Sequence, residues 1–531
     1  MHPDAFFGKI RLMEIASKNL QNTTDCTSEV DQLREEVEVL KHQLDWFRRQ
    51  LFGEKSEKRM LVDNPNQGSL FGAQTADSEG VVEQKQTISY QRGKAKKDRG
   101  SSVNDSGLRF DESVPVEQLR IEPAELHGPD ADQYEIIGEK VTHRLAQHPA
   151  SFVVLAYTEV IIKRKTTQQI IPATTASAVF DKSIVDVSFL AGMLVDKFTY
   201  HCPLYRQHQK LQQSGFKLSR SSLTNWTSRS IALLEPIYDA QLENILRSKV
   251  LAMDETPIKA GRKEKGKMNK AYFWPLYGET NEVAFTFSLS RKKQHVVDTL
   301  KNFNGTLLTD GYAAYERYAA QSENVIHAQC WIHTRRYFEQ AQKAEPIASG
   351  QALAIIGQLY AHEKSIRKKQ LTGEQKLQYR TEHSLPLVKH FFAWCDEQCQ
   401  RADLIDSNPL SKALKYARDR EHALKIFLGD PQVQPDTNHL ERALRVIPMG
   451  RKNWMFSWTE VGAKQIGIIQ SLLVTCKLHD INPYIYLVDV LQRVGHQPAS
   501  KVEELTPRIW KERFANNPLR SDLYLIKNLG K

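Results

Sequence analysis

The earliest regular pattern in the chain is a heptad. Val30, Leu33, Val37, Leu40, Leu44, Phe47 and Leu51 recur at alternating spacings of three and four residues. With Val30, Val37, Leu44 and Leu51 at a, and Leu33, Leu40 and Phe47 at d, the stripe predicts a parallel two-stranded coiled coil and hence a homodimer or a higher oligomer built through it. Glu29 and Glu36 then fall at g and Arg34 and Lys41 at e, so each glutamate faces a cation of the partner helix. The plainer alternative is an amphipathic helix packed within one chain. From Val62 to Gly107 the periodicity gives way to Gln, Asn, Gly, Ser and Asp, which predicts a linker. Inside it, Gln91–Arg99 carries five basic residues in nine, either a tether for phosphate backbones or a solvated charge run.

Period-two alternation follows. Val153, Leu155, Tyr157, Glu159 and Ile161 share one side of Ser151–Lys163, which predicts a strand within a small β-rich module. The next segment is helical. It holds an apolar helix over Val187–Phe198, a second helix opened by Pro203, a break at Gly215, and a third helix started by the hydroxyl-rich Leu218–Trp226. A glycine turn followed by a helix with Arg220 and Ser221 in its first turn is similar to a helix-turn-helix, which makes both residues candidates for contacting DNA. Helix pairs of this kind also occur as plain packing units.

Beyond residue 248 short apolar runs return. Val250–Met253 predicts a strand buried on both faces, followed at once by Asp254 and Glu255 and closed by Pro257. A basic, hairpin-like tip at Lys259–Lys267 leads to strands at Ala271–Tyr277 and Val283–Leu289 and a short helix at Gln294–Phe303. Gly305–Asp310 is another buried strand ending in an acid, and Asn324–Gln329 a fifth strand. Cys330 opens a basic helix containing His333, Arg335 and Arg336. Residues 346–429 read as wholly helical and charged, with Cys395 and Cys399 at helical spacing facing the core. Asp436 or Thr437 can then cap a helix that Pro448 ends. Leu440, Ala443, Leu444 and Ile447 form its apolar stripe, while Asn438, Glu441 and Arg445 share a separate face. Docked on the sheet by its leucines, this helix would hold Glu441 over Asp254 and Asp310.

An acid at the end of a buried strand is costly unless something compensates it, although a capped strand end facing water has the same local sequence. Two strand-end aspartates and a helix-borne glutamate suit a two-metal phosphoryl-transfer site holding two Mg²⁺ ions, with Mn²⁺ as a substitute. Without metal, three clustered carboxylates repel, and at least one should titrate high. Strand alternation puts Asp254 and Glu255 on opposite faces, so Asp254 is the expected ligand and Glu255 its control. The 531 residues carry a net charge of +10, which points to a polyanionic partner. No apolar run reaches the roughly 20 residues of a membrane span. Six scattered cysteines argue against a disulfide framework and for the cytoplasm.

Together, Leu51–Lys58 after the zipper, Pro203–Gln207, Leu218–Trp226, Asp254-Glu-Thr-Pro257, Asp310-Gly-Tyr-Ala-Ala-Tyr315, Cys330–Arg336, Asn438-His-Leu-Glu-Arg442, Gly450–Phe456 and Asn482–Leu487 resemble DDE transposases of the insertion-sequence-sixty-six family. The resemblance implies DNA as the partner, strand cleavage and transfer at transposon ends, accessory proteins from the same element, and a bacterial, nucleoid-associated protein. It implies Asp254, Asp310 and Glu441 as the metal-binding triad, with Cys330 and His333 in a Cys-x-x-His signature that lacks enough ligands for zinc. Arg451, Lys452 and Trp454 are further candidates for DNA contact, the alternative being a core tryptophan between solvated charges.

The expected architecture is multidomain, mixing α+β and α/β parts. It comprises an N-terminal helix and coiled coil (1–60), a linker (61–107), a β-rich module (108–176) and a helix-turn-helix-like domain (177–247). An RNase H-like catalytic domain (248–345 and 433–478) follows, with a helical insertion (346–432) and a C-terminal region (479–531). The family's zinc module is cysteine-based, and the corresponding stretch here has no cysteine, so zinc is not expected. The two alternatives are a DNA-binding coiled-coil protein with an inactive catalytic domain, and a nuclease of the same fold that cuts without joining.

Overall fold

The computed structural model describes residues 108–529 apart from 149–150, 172–177, 182, 265, 403 and 455–456. The heptad, the linker and the basic run Gln91–Arg99 lie outside the described residues. The described chain forms two compact units: Leu190–Pro203 with Trp226–Ser521, and residues 108–189 with Leu204–Asn225 and the segment from Asp522.

The smaller unit is built on a sheet of β1 (Val116–Ile121), β2 (Tyr134–His148), β3 (Ser151–Arg164) and the short β4 (Ile170–Ile171). Its order is β1-β3-β2, with β4 also paired to β3. As the central strand, β3 is buried on both faces over most of its length, so the alternation seen in its sequence understates its burial. Its core comprises Ala146, Val153, Leu155, Tyr157 and Leu523, and the Tyr157 hydroxyl donates to Asp522 at 2.7 Å. Helix α1 (Val187–Phe198), helix α2 (Leu204–Gln213), a turn at Gly215 and helix α3 (Arg220–Leu246) follow the spacing read from the sequence; of these, α2 and the turn belong to the smaller unit, and α1 from Leu190 and α3 from Trp226 to the larger. Gly215 has φ +87°, and a Cβ there would lie 2.6 Å from the Asp111 carboxylate, so glycine is required twice over.

The larger unit is organised around a six-stranded sheet: β5 (Val250–Met253), β6 (Thr256–Glu264), β7 (Lys267–Gly278), β8 (Val283–Ser288), β9 (Gly305–Thr309) and β10 (Val325–Gln329). Strand β7 runs antiparallel to β5, β6 and β8, whereas β9 is parallel to β5 and β10 to β9. Every residue of β5 is buried. Helices α4 (Lys293–Leu300) and α5 (Ala313–Ala319) cover one face, where Leu251, Met253, Trp274, Leu276, Val296, Leu307 and Tyr315 form the core.

Pro257 does not close the β5 segment. Pairing resumes at Thr256, and the register against β7 is continuous: Met253 faces Leu276 on one side of the gap and Thr256 faces Phe273 on the other. Asp254 therefore lies opposite Pro275. Its N–H donates to the Pro275 carbonyl at 3.4 Å, but proline has no N–H to return the bond. The ladder fails at that pair, and β5 and β6 are one strand with a two-residue break at Asp254 and Glu255.

Helix α6 (Trp331–Ala341) follows β10, and the stretch after it is helical: α7 (Pro346–Lys368), α8 (Gly373–Tyr379), α9 (Leu385–Cys399), α10 (Pro409–Arg418) and α11 (Glu421–Lys425). Cys395 is buried, but Cys399, the last residue of α9, is exposed, so only one of the pair faces the core. The fully buried Arg380 donates from Nε and Nη2 to Glu363 at 2.8 and 3.0 Å and from Nη1 to the Asp430 carbonyl at 3.0 Å. Pro448 does not end the glutamate helix either. Helix α12 (Asn438–Leu444) stops earlier, and α13 (Val446–Trp454) carries Pro448 in its first turn. Proline cannot donate to the Leu444 carbonyl four residues back, but it is tolerated where no such donor is needed.

Helix α14 (Glu460–Leu478) seals the outer edge of β8. Ser471 Oγ accepts from the Phe285 N–H at 2.8 Å and Thr475 Oγ1 from the Val283 N–H at 3.1 Å. A Cβ on Gly467 would lie 2.5 Å from the Phe285 carbonyl oxygen, so glycine permits this approach. Among the described residues, no helix is long and apolar enough to cross a membrane.

Candidate active site

Asp254 and Glu255 occupy the break between β5 and β6, and Asp310 follows directly on β9. One carboxylate oxygen from each lies within 4.8 Å of the others. Local backbone donors fix two of them: Asp254 accepts from the Glu255 N–H at 2.7 Å, and Asp310 from the Tyr312 N–H at 2.8 Å. These acids line a cleft of about 360 Å³ together with Glu441, Leu444, Arg445 and Pro448. Arg291, His333 and Arg336 complete its wall. Glu441 is outside the tight group of three but near enough for its charge to act on Asp254.

The electrostatics follow from the packing. Burial, then the charges of Asp310 and Glu255, push the Asp254 carboxyl up to about 8. Burial also raises Glu255, against the pull of the Tyr315 hydroxyl and Arg291. Tyr315 Oη donates to Glu255 at 2.6 Å, and Arg291 donates from Nε at 2.8 Å and also from Nη2. Burial lowers His333, whose Nδ1 is enclosed without a hydrogen-bond partner among the described residues.

Alternation misjudged Glu255. It is not turned away from Asp254: both residues sit in a gap in the ladder, where the regular pleat no longer dictates side-chain direction, and both enter the acid group. Tyr315 and Arg291 were missed altogether. Tyr315 had one signal, its place five residues after Asp310 in a stretch carrying the family resemblance. For Arg291, on the approach to α4, no signal in the sequence pointed here.

Cys330 ties two arms of the site together. Its N–H donates to the carbonyl of Thr309, the residue before Asp310, at 3.1 Å. Its buried Sγ accepts from the N–H and Oγ1 of Thr437 at 3.3 and 3.4 Å, and Thr437 is the N-cap of α12, which carries Glu441. Asn438 is drawn elsewhere. Both its N–H and its amide donate to Asp436 at 2.9 Å, and it lines a separate cavity with His439 and Arg442. The sequence grouped it with Glu441 and Arg445, but only those two reach the acidic cleft.

The residues proposed to contact DNA divide similarly. Arg336 lines the cleft, whereas Arg335 pairs with Glu339 at 2.8 Å. Arg451 donates from Nη1 to the Pro257 carbonyl, and Lys452 is exposed. Trp454 lies back on its own helix, where a Cβ on Gly450 would sit 2.5 Å from its indole nitrogen. The ring is half-buried. In the smaller unit, Arg220 stacks over Tyr205 at 5.6 Å and the Ser221 hydroxyl bonds Ser219 at 2.8 Å.

Known proteins match along most of the chain. The Transposase IS66 family matches residues 182–465, the IS66 C-terminal element residues 471–508, and a segment described as Transposase C of IS166 homeodomain residues 39–118. Two relatives come from Sinorhizobium fredii (strain NBRC 101917 / NGR234). Uncharacterized protein y4hP is 28% identical over 71% of this chain and 72% of its own length. Uncharacterized protein y4qI is 28% identical over 70% and 71% respectively. With the family matched over more than half of its length, this chain belongs to the IS66 family of transposases.

Proposed function

We propose that the protein cuts and joins DNA at the ends of its own element, with Asp254, Asp310 and Glu441 holding divalent metal in the cleft. The observation that carries this is the acid group itself: Asp254, Glu255 and Asp310 bring one carboxylate oxygen each within 4.8 Å of the others, Glu441 lines the same cleft, and burial and the charges of the neighbouring acids push Asp254 up to about 8. Oxygen donors under such strain fit a hard divalent cation, which would relieve the repulsion and suit Mg²⁺ or Mn²⁺. Bound there, the ions would activate the attacking oxygen and stabilise the leaving one in an in-line displacement. The sheet order, an antiparallel β5–β7–β8 meander followed by the parallel β9 and β10, supports an RNase H-like core interrupted by the helical insertion.

The chain's own groups divide the remaining work. Tyr315 and Arg291 hold and neutralise Glu255, which leaves the charges of Asp254 and Asp310 for metal. Glu441 approaches from α12, whose start is fixed by Cys330 and Asp436. Arg336 and Arg445 on the cleft wall suit the non-bridging oxygens of a phosphodiester. A water attacks the phosphodiester at the element end, the P–O3′ bond breaks to leave a free 3′-OH and a 5′-phosphate, and that hydroxyl then attacks a target phosphodiester, whose own 3′-oxygen leaves as a hydroxyl. The coiled coil would pair two such chains, and Leu40→Pro should turn a dimer into a monomer in light scattering.

Incubating the purified protein with DNA carrying its element's ends, Mg²⁺ and a target plasmid tests the reaction. Joined products are expected. Cut but unjoined ends would instead assign a nuclease, and binding alone an inactive DNA-binding protein. Product formation surviving in Asp254→Asn would overturn the ligand assignment.

A further inference from the structure

The basic tip singled out in the sequence has no part in the chemistry above, yet the chain builds it with care. Strand β6 leaves the cleft directly after Glu255 and buries Ile258 and Ala260. Beyond Gly261 it contributes nothing to the core, and Arg262, Lys263 and Glu264 are all exposed. The returning strand adds exposed Lys267 and Lys270. Register shifts flank Arg262 on both sides, and Gly261 and Gly266 both have positive φ, at 70° and 78°. Such bulges twist a hairpin and re-aim its side chains.

The base of the hairpin is anchored firmly. Ser457 exchanges backbone hydrogen bonds with it, donating to Lys259 at 3.0 Å and accepting from Gly261 at 3.1 Å. The next residue, Trp458, is 43% exposed. Glu264 pairs with Lys267 at 3.3 Å, but among the described residues Lys259, Arg262 and Lys263 have no ion-pair partner. Exposed cations on a strand that starts at the acid group match a phosphate backbone in charge.

We propose that the β6–β7 hairpin is an arm that grips the phosphate backbone of the DNA whose reacting phosphodiester lies in the cleft. From Thr256 to Glu264 the strand spans at most about 25 Å. The arm therefore meets the duplex within roughly seven base pairs of the reacting bond. The inference rests on the transposase reading, because it takes the occupant of the cleft to be DNA.

The test compares Arg262→Gln/Lys263→Gln with the charge-preserving Arg262→Lys/Lys263→Arg, using a fluorescent duplex that carries one end of the element. Losing two phosphate contacts should lower the slope of log affinity against log salt by about 1.8, and the charge-preserving pair should keep it. The cleavage defect of the glutamine pair should appear as a raised KM. A photo-crosslinker on Arg262→Cys should mark the backbone within roughly seven base pairs of the cleavage site. An unchanged slope, or crosslinks scattered along the duplex, would overturn the arm. So would an unchanged slope with increased aggregation, which would make the lysines guards of a sheet edge. If the unaltered protein itself fails to bind the duplex, the transposase reading fails instead of the arm alone.

Discussion

Carboxylates are buried at two kinds of place in the larger unit, and their surroundings differ sharply. In the insertion, Glu363 is 2% exposed and takes two hydrogen bonds from the guanidinium of Arg380. Asp489, fully buried further along, accepts from Arg493 at 2.7 Å, Trp510 Nε1 at 2.9 Å and the Leu519 N–H at 2.6 Å. Each has its donors inside the fold. In the cleft, Glu255 alone is matched in this way, by Tyr315 and Arg291. Asp254 is half-buried, with only a backbone donor of its own and with other acids beside it. Burial by itself therefore says little about function. What separates the cleft from the insertion is the missing counter-charge, which an external cation would supply.

The largest expected effect comes from removing an unmatched acid. Asp254→Asn should reduce cleavage and joining well beyond the roughly 100-fold that loss of an outer partner costs, while gel-shift affinity for end DNA persists. A comparable loss of DNA binding would show that the acid is structural, as in the insertion. Glu363→Gln should do the reverse. It leaves Arg380 buried without its carboxylate, at a cost of about 3–5 kcal/mol in urea unfolding, and activity should fall only with the folded fraction.

Tyr315→Phe lies between these cases. Without the hydroxyl, Glu255 is held by Arg291 alone and can turn within the acid group, disturbing Asp254 and Asp310, so metal affinity by calorimetry should fall by about 10–100-fold. A wild-type titration would make Tyr315 a packing residue only.

The smallest effect is on pH dependence. Folded Asp254 keeps a proton up to about pH 8, whereas the unfolded chain releases it near 3.8. The metal-free protein should therefore lose stability as pH rises from about 4 to 8. Calorimetry should show Tm falling steadily between pH 5 and 8, because each pH unit in that window removes up to about 1.4 kcal/mol. Mg²⁺ should restore it at pH 8 but not at pH 5, and Asp254→Asn should flatten the slope. A slope that Asp254→Asn leaves untouched would place the titrating group elsewhere.

Much of the larger unit was legible locally. Val250–Met253 read as a buried strand because four apolar residues in a row have no face left for water, and Gly305–Thr309 as one because Leu307 and Leu308 lie between β-branched threonines. Leu440 and Ala443 face inward from α12 and Ile447 does so from α13, but Leu444, read as part of the same stripe, lines the cleft beside Glu441. Asn438, at the first position of α12, was captured by Asp436, a partner outside the helix that periodicity does not register. Strand β6 was missed because its alternation is short and bulged, and Pro257 looked like a stop. On that strand Pro257 is exposed and pairs with Tyr272 without breaking the ladder.

The sequence by itself determined which segments are apolar enough to be buried, where helices start, and which acids lie at strand ends, since each depends on neighbours a few residues away. Only the tertiary structure decided how those acids are used. The break that puts Glu255 beside Asp254 comes from Pro275, which lacks the donor that the ladder needs at that pair. The groups that match Glu255 come from α5 and from the approach to α4. A carboxylate's role here depends on which donors arrive from distant parts of the chain, and periodicity carries no information about them.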